Sequence, residues 1–187
     1  MKNKTIAINN LQLTANSAIK KNAIGLAVLS GLLLFFSFPK YGSGFIVWVA
    51  FIPLFFALRK ATSITQGLIL GFITGVVSYI GIIYWITYVV VNYGYLPLYL
   101  GIIIMLLLAC YLSIYIALFA GGIVYFRKKI SLYLVAPVLW VCLEYCKSYL
   151  LTGFPWENLG YSQYLNLYLV QFADILGVFG LSLLIIV

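Results

Sequence analysis

The chain has 187 residues, of which 65% are hydrophobic and only 7% charged, with a mean hydropathy of +1.14. A soluble domain carries about 25% charged residues, so too little polar surface exists here to cover a soluble globule. Eleven Lys and Arg against three acidic residues give a net charge of +8. The positives cluster between apolar runs and accompany no nucleic-acid-binding motif, which excludes a nucleic-acid partner and points to membrane orientation.

Residues 1–22 begin polar and basic (MKNKTIAINNLQLTANSAIKK) and read as a cytoplasmic tail. Residues 23–187 read as a transmembrane domain. With the apolar run that follows, the tail mimics a signal peptide, but no small-x-small cleavage pattern ends that run, so the first span is expected to remain uncleaved. Six apolar segments follow, at 23–38, 44–58, 65–91, 96–126, 131–151 and 168–187. A spanning helix needs about 20 residues. The first two are short for that, which leaves three readings open: little tilt, a locally thinned bilayer, or a tight hairpin around Pro39 and Gly42. The third and fourth are long enough to span with tilt or to protrude. The fold class is therefore an all-α polytopic bundle of about six spans. The last segment stops at Val187 inside an apolar run, which predicts that it is truncated and that the chain is a fragment or the product of a truncated reading frame.

The loops set the orientation. Lys2, Lys4, Lys20 and Lys21, then Arg59 and Lys60, then Arg127, Lys128 and Lys129 all fall on one side if the spans alternate; the other side receives only Lys40. The positive-inside rule places the N-terminus in the cytoplasm and the loop after the fifth segment outside.

Gly67, Gly71 and Gly75 form one ridge in the third segment, as helix packing requires. Trp85 and Tyr88 precede the outer turn at Tyr93, Gly94, Tyr95 and Pro97; they suit an interfacial aromatic belt or the wall of a lipid-entry groove. Cys110, Cys142 and Cys146 are expected to be small packing residues. Their odd number in apolar segments argues against a disulfide framework, and the chain has no histidine to complete a metal site, so no cofactor is expected. Glu144 and Lys147, three apart in the fifth segment, can meet on one helix face. Two readings stand: a mutually neutralised pair near the outer interface, or groups that line a polar cavity or hold the next loop.

That loop is the most specific element. In "TGFPWENLGYSQ" (152–163), Gly153 and Pro155 fix a turn where the helix stops. Trp156 suits a headgroup-level pocket, Glu157 is the only charge, and Asn158, Tyr161, Ser162 and Gln163 offer neutral hydrogen bonds. Irregular backbone cannot face lipid, so the stretch lies at a membrane surface or lines a protein cavity. Its variety of polar side chains favours a lining for a polar ligand or a docked domain.

Four stretches together, "SFPKYG" (37–42), "YWITYVVVNYGYLP" (84–97), "LLACYLSIYIALFAG" (107–121) and "PVLWVCLEYCKSYLLTGFPWENLGYSQ" (137–163), resemble the N-terminal membrane half of apolipoprotein N-acyltransferases. The resemblance runs from about residue 23 to the end. It implies a bacterial inner-membrane enzyme that moves an acyl chain from membrane phospholipid, through a cysteine thioester, to the α-amine of a diacylated apolipoprotein. It also implies that the catalytic Glu, Lys and Cys lie in a nitrilase-like domain missing from this sequence. None of Cys110, Cys142, Cys146, Glu144 or Lys147 matches those residues, and Lys147 stands where related sequences usually have Arg. The resemblance thus assigns no catalytic residue to this chain. Gly153, Pro155, Trp156, Tyr161, Gln163, Glu144, Lys147, Trp85 and Tyr93 remain as candidates for a substrate cavity or a docking platform. The alternative is a non-enzymatic small membrane protein or transporter-like remnant. A transporter should show repeat symmetry and broken helices with midplane polar groups, and no convincing repeat relates the first three segments to the last three.

Overall fold

The computed structural model describes residues 19, 21–39 and 43–187. The basic tail expected over 1–22 and the Lys40–Gly42 part of the first outer turn lie outside or largely outside these residues. The described residues form helices and turns with no strand. The elements are α1 (Lys21–Ser37), α2 (Val47–Ala50), α3 (Ile52–Arg59), α4 (Ile64–Ile82), α5 (Trp85–Asn92), α6 (Leu98–Phe126), α7 (Leu132–Tyr149), three 3₁₀ turns (Leu150–Thr152, Pro155–Glu157 and Leu159–Gln163) and α8 (Leu167–Ile186).

Three of these, α4, α6 and α8, are long and apolar enough to cross a membrane. Two expected segments are divided. Residues 44–58 split at Phe51, where Pro53 occupies the start of α3; proline lacks the N–H that would continue the preceding helix and clashes with it. Residues 65–91 split at Ile83, which leaves the helical region at φ −99°, ψ 14°. The change of direction lays α5 against the first turns of α6. There Gly101 marks a close approach: a Cβ would come within 3.1 Å of Val91 and 3.3 Å of the Thr87 carbonyl, so its neighbours would have to give by a few tenths of an ångström.

The centre of the bundle is α4 against α6. Side chains at Gly67, Gly71 and Gly75 would collide with Val124, with the Ile116 carbonyl and with Ser113, at 2.8, 2.5 and 2.7 Å. The expected glycine ridge therefore does bring two backbones together. Helix α1 packs on the opposite side of α4, where Thr74 Oγ1 donates to the Ala27 carbonyl at 3.0 Å. Ser30 Oγ donates to the Ala50 carbonyl and ties α1 to α2. In an apolar bundle these hydroxyl-to-carbonyl bonds satisfy groups that lipid could not. An aromatic cluster of Phe51, Phe119 and Trp140, in edge-on contacts of 4.8–5.9 Å, joins α2–α3, α6 and α7.

The two ends of the bundle differ. At one end, Arg127 donates to the carbonyls of Leu58 and Ala61, closing the C-terminus of α3 with its forked guanidinium. Arg59, Lys60, Lys128 and Lys129 accompany it by sequence. At the other end, Pro39, residues 43–46, the 83–97 connection and the 150–166 loop converge. Tyr164 Oη donates to the Pro39 carbonyl at 3.0 Å, and Gln163 Nε2 donates to the Gly44 carbonyl at 2.7 Å.

Candidate functional site

Helix α7 ends by a backbone reversal. Leu151 and Gly153 take positive φ, 51° and 78°. Phe154 N–H then returns to the Lys147 carbonyl at 3.0 Å, satisfying an acceptor that the helix end leaves open. At Gly153 a Cβ would lie 2.1 Å from the Ser148 carbonyl oxygen. Only glycine fits both the conformation and the space.

The reversed chain passes over the last turns of α7, where two charged side chains hold it. Lys147 Nζ donates to the Glu157 carbonyl at 3.0 Å, and Glu144 Oε1 accepts from Leu159 N–H at 2.6 Å. Both side chains are buried, at 2% and 3% exposure. Of the two sequence-based readings, the geometry is that of groups holding the next loop. The two charges remain within electrostatic reach of each other, and each also makes a hydrogen bond to loop backbone. Further along, Gly160 N–H donates to Ser182 Oγ of α8 at 2.9 Å, and a Cβ at Gly160 would strike the Val178 carbonyl. The loop is thus fastened to α7, α8, Pro39 and Gly44 at separate points.

Fastened in this way, the loop presents Trp156. Its ring stacks on Trp85 with centroids 5.5 Å apart and planes 11° off parallel, and Phe154 lies behind it at 6.2 Å. Trp156 remains 63% exposed. Beside the pair runs a groove of about 250 Å³ lined by Phe35, Phe38, Pro39, Gly81, Ile82, Tyr84, Trp85, Trp156, Glu157 and Tyr161. Glu157 is 7% exposed; burial pushes its carboxyl up to about 7, although Lys147 pulls the other way. Among the described residues, Glu157 Oε2 and both polar atoms of the Asn158 side chain are buried without a hydrogen-bond partner, while the Glu144 carboxylate also has the Ser182 hydroxyl and the Trp140 indole beside it. A second, larger cavity of about 530 Å³ lies on the far side of Gln163, between the Ser43–Phe45 turn and Leu165–Tyr168.

Of the residues singled out from sequence, Trp85, Trp156 and Tyr161 share the smaller groove, and Gly153, Pro155, Glu144 and Lys147 shape the loop that builds it. Gln163 is 2% exposed and acts as a staple to Gly44. Tyr93 stands apart: it is exposed, pairs edge-on with Tyr88 and does not line the groove. Phe35, Phe38 and Tyr84 were not legible as groove residues, because nothing in a run of apolar residues marks which of them faces a gap. Glu157 was legible only as the single acid of its segment.

The three cysteines correct an expectation. Cys110, Cys142 and Cys146 are exposed on the outer faces of α6 and α7 and are not packing residues of the bundle interior. Alternate positions on these helices turn to α4 and to the Phe119–Trp140 contact, which leaves the cysteine face outward. Among the described residues no group of His, Cys, Asp or Glu is arranged to hold a metal.

The family model of the apolipoprotein N-acyltransferase N-terminal domain matches residues 30–187. The chain belongs to the apolipoprotein N-acyltransferase family. An apolipoprotein N-acyltransferase of Geobacter metallireducens is 46% identical over 169 residues, covering 90% of this chain and 32% of that protein. Those of Wigglesworthia glossinidia brevipalpis and Nitrosomonas europaea are 37% and 30% identical, covering 86% and 87% of this chain and 33% and 32% of their own lengths. The chain thus spans about a third of these relatives and matches the part described as N-terminal. The groove, the Trp85–Trp156 stack and the Lys147 and Glu144 fastenings all lie within the residues matched to the N-acyltransferase domain.

Proposed function

We propose that this chain is the membrane portion of an apolipoprotein N-acyltransferase of the bacterial inner membrane, with its N-terminus in the cytoplasm and the groove on the outer side. In the proposed reaction a thiolate displaces the alcohol of a phospholipid ester and forms a thioester. The α-amine of a diacylated apolipoprotein then displaces the thiolate and leaves an amide. The thiolate, its base and the oxyanion-binding donors belong to a nitrilase-like domain outside this sequence. This chain contributes the lipid-facing groove and the platform beneath that domain. The single observation that supports the reading best is the aromatic groove beside Trp85 and Trp156. It lies at one end of an apolar bundle, on a loop held rigid from below, where a substrate that stays in its membrane could present a head group and keep its tails in lipid.

The test is acylation in cells depleted of their own N-acyltransferase. The 187-residue chain alone should leave lipoproteins diacylated. The same chain joined in frame to a relative's nitrilase-like domain should restore the third acyl chain. Triacylation by the chain alone, with labelled acyl on Cys110, Cys142 or Cys146, would overturn the platform reading.

A further inference from the structure

The proposed function leaves open which feature of a lipid-borne substrate the groove recognises, and Glu157 addresses that question. Glu157 lines the groove, is almost fully buried, and its Oε2 has no hydrogen-bond partner among the described residues. Lys147, the cation beside it, donates to the Glu157 main-chain carbonyl instead. Glu144, the other acid of the cluster, is committed through one oxygen to Leu159 N–H. Among the described residues two carboxylates thus face one ammonium, which leaves this cluster one positive charge short when both are ionised. A buried carboxylate in that position gains from an incoming cation.

The walls narrow the choice of cation. Trp85, Trp156, Tyr84 and Tyr161 place aromatic rings along the same groove, and cations are attracted to the faces of such rings. An unpartnered carboxylate oxygen calls for an N–H donor, which a primary ammonium has and a quaternary one lacks. Among the described residues no Lys or Arg lines the groove, so a phosphate held next to the ammonium would find no counter-charge from them. A head group that carries phosphate beside its amine is therefore disfavoured relative to an ammonium on an otherwise uncharged, apolar body.

Resting on the proposed function, we infer that Glu157 is a specificity residue that receives the free α-ammonium of a peptide whose N-terminal residue carries acyl chains. Trp85 and Trp156 wall the position. The role is one of binding and orientation; the amine loses its proton later, to a base outside this chain.

The experiment uses the 187-residue chain in nanodiscs of phosphatidylcholine at pH 7.5. Two diacylated lipopeptides with a dye at the C-terminus are compared by fluorescence anisotropy, one with a free α-amine and one N-acetylated. The free amine should bind about tenfold more tightly, and Glu157→Gln should abolish that preference while leaving the affinity for the N-acetylated peptide unchanged. Equal binding of the two peptides by the unsubstituted chain would overturn the role of Glu157 and leave the lipid-groove reading standing; binding of neither would overturn both. A preference that survives Glu157→Gln would also overturn it. Replacing part of the phosphatidylcholine with phosphatidylethanolamine should compete weakly. Competition as strong as that of the free-amine peptide would assign the site to the phospholipid head group and overturn the assignment made here. The comparison of the two peptides on the unsubstituted chain does not depend on any variant folding.

Discussion

Lys147 Nζ donates to the carbonyl of Glu157, 3.0 Å away and ten residues on, while the Glu144 carboxylate three residues before it takes the N–H of Leu159. One helical turn of α7 thereby grips nearby backbone groups of the 150–166 loop with opposite charges. Charges of both signs buried in an apolar bundle are costly, and here the cost is offset by ordering a segment that has no regular structure of its own.

Removing the cation should therefore do more than remove one bond. Lys147→Met leaves Glu144 and Glu157 buried without a counter-charge, a loss on the order of 3–5 kcal/mol for a broken buried pair. Lys147→Arg retains the charge and the donors and should cost far less. Thermal unfolding in detergent, together with protease sensitivity of the 150–166 loop, measures both. Equal stability of Lys147→Met and the unsubstituted chain would show that water reaches the cluster.

Gly153 should tolerate no side chain. Its φ of 78° is strained for any L-residue, and a Cβ would sit 2.1 Å from the Ser148 carbonyl oxygen. Gly153→Ala should destabilise by more than about 1 kcal/mol. It should also free the loop enough to raise proteolysis between Gly153 and Gln163. Unchanged proteolysis would mean that the reversal is not what sets the loop's path.

The unequal legibility of these features in the sequence has a physical basis. Gly153, Pro155, Trp156 and the paired charges stand out because each is rare in an apolar chain, and rarity marks cost. Spacing alone recovered the Gly67–Gly71–Gly75 ridge, since helix periodicity fixes which residues share a face. The breaks at Phe51 and Ile83 were harder to read. One turns on a proline that is also tolerated at a helix start, and the other has no breaker residue at all: Ile83 is a buried isoleucine. The groove was legible only in part: Trp85 reads as a groove-wall candidate, whereas Phe35 becomes a wall only when α1, α4 and the loop converge. The cysteines were misplaced for a related reason: in lipid, apolar neighbours in sequence do not distinguish the inside of a bundle from its outside.

The stacked indoles provide a measure of the groove's integrity. Trp85 and Trp156 lie 5.5 Å apart and nearly parallel. A double-mutant cycle with alanine at each should give a coupling of about 0.5–1.5 kcal/mol in detergent unfolding. Either single variant fused to a nitrilase-like domain should lower acyl transfer, because each opens the same wall. Strict additivity would mean that the two rings do not meet in the membrane.

The orientation proposed for the bundle is testable at its exposed ends. Tyr95 is 91% exposed at the groove end, and Ile130 lies at the basic end. In a chain lacking Cys110, Cys142 and Cys146, Tyr95→Cys should react with a membrane-impermeant thiol reagent added outside the inner membrane, and Ile130→Cys only after that membrane is permeabilised. The reverse pattern would place the groove in the cytoplasm.

The last prediction concerns pH. Burial raises the Glu157 carboxyl from its ordinary 4.5 to about 7 in the folded chain, with Lys147 opposing the shift. Between those values the folded state holds a proton that the unfolded chain has released, so stability falls as pH rises from about 4.5 to about 7 and levels off above. Each unit of difference corresponds to about 1.4 kcal/mol, so the contribution amounts to a few kcal/mol. Lys147, Glu144 and the Tyr79 hydroxyl share the electrostatic environment of this carboxyl, so the measurement must isolate it by difference. Glu157→Gln removes the titrating group while keeping a polar side chain of similar size. Its unfolding midpoint in detergent should lie close to that of the unsubstituted chain at pH 5 and above it at pH 8. A difference that does not grow with pH would mean that Glu157 is ionised throughout, and that the groove already supplies its charge with a partner.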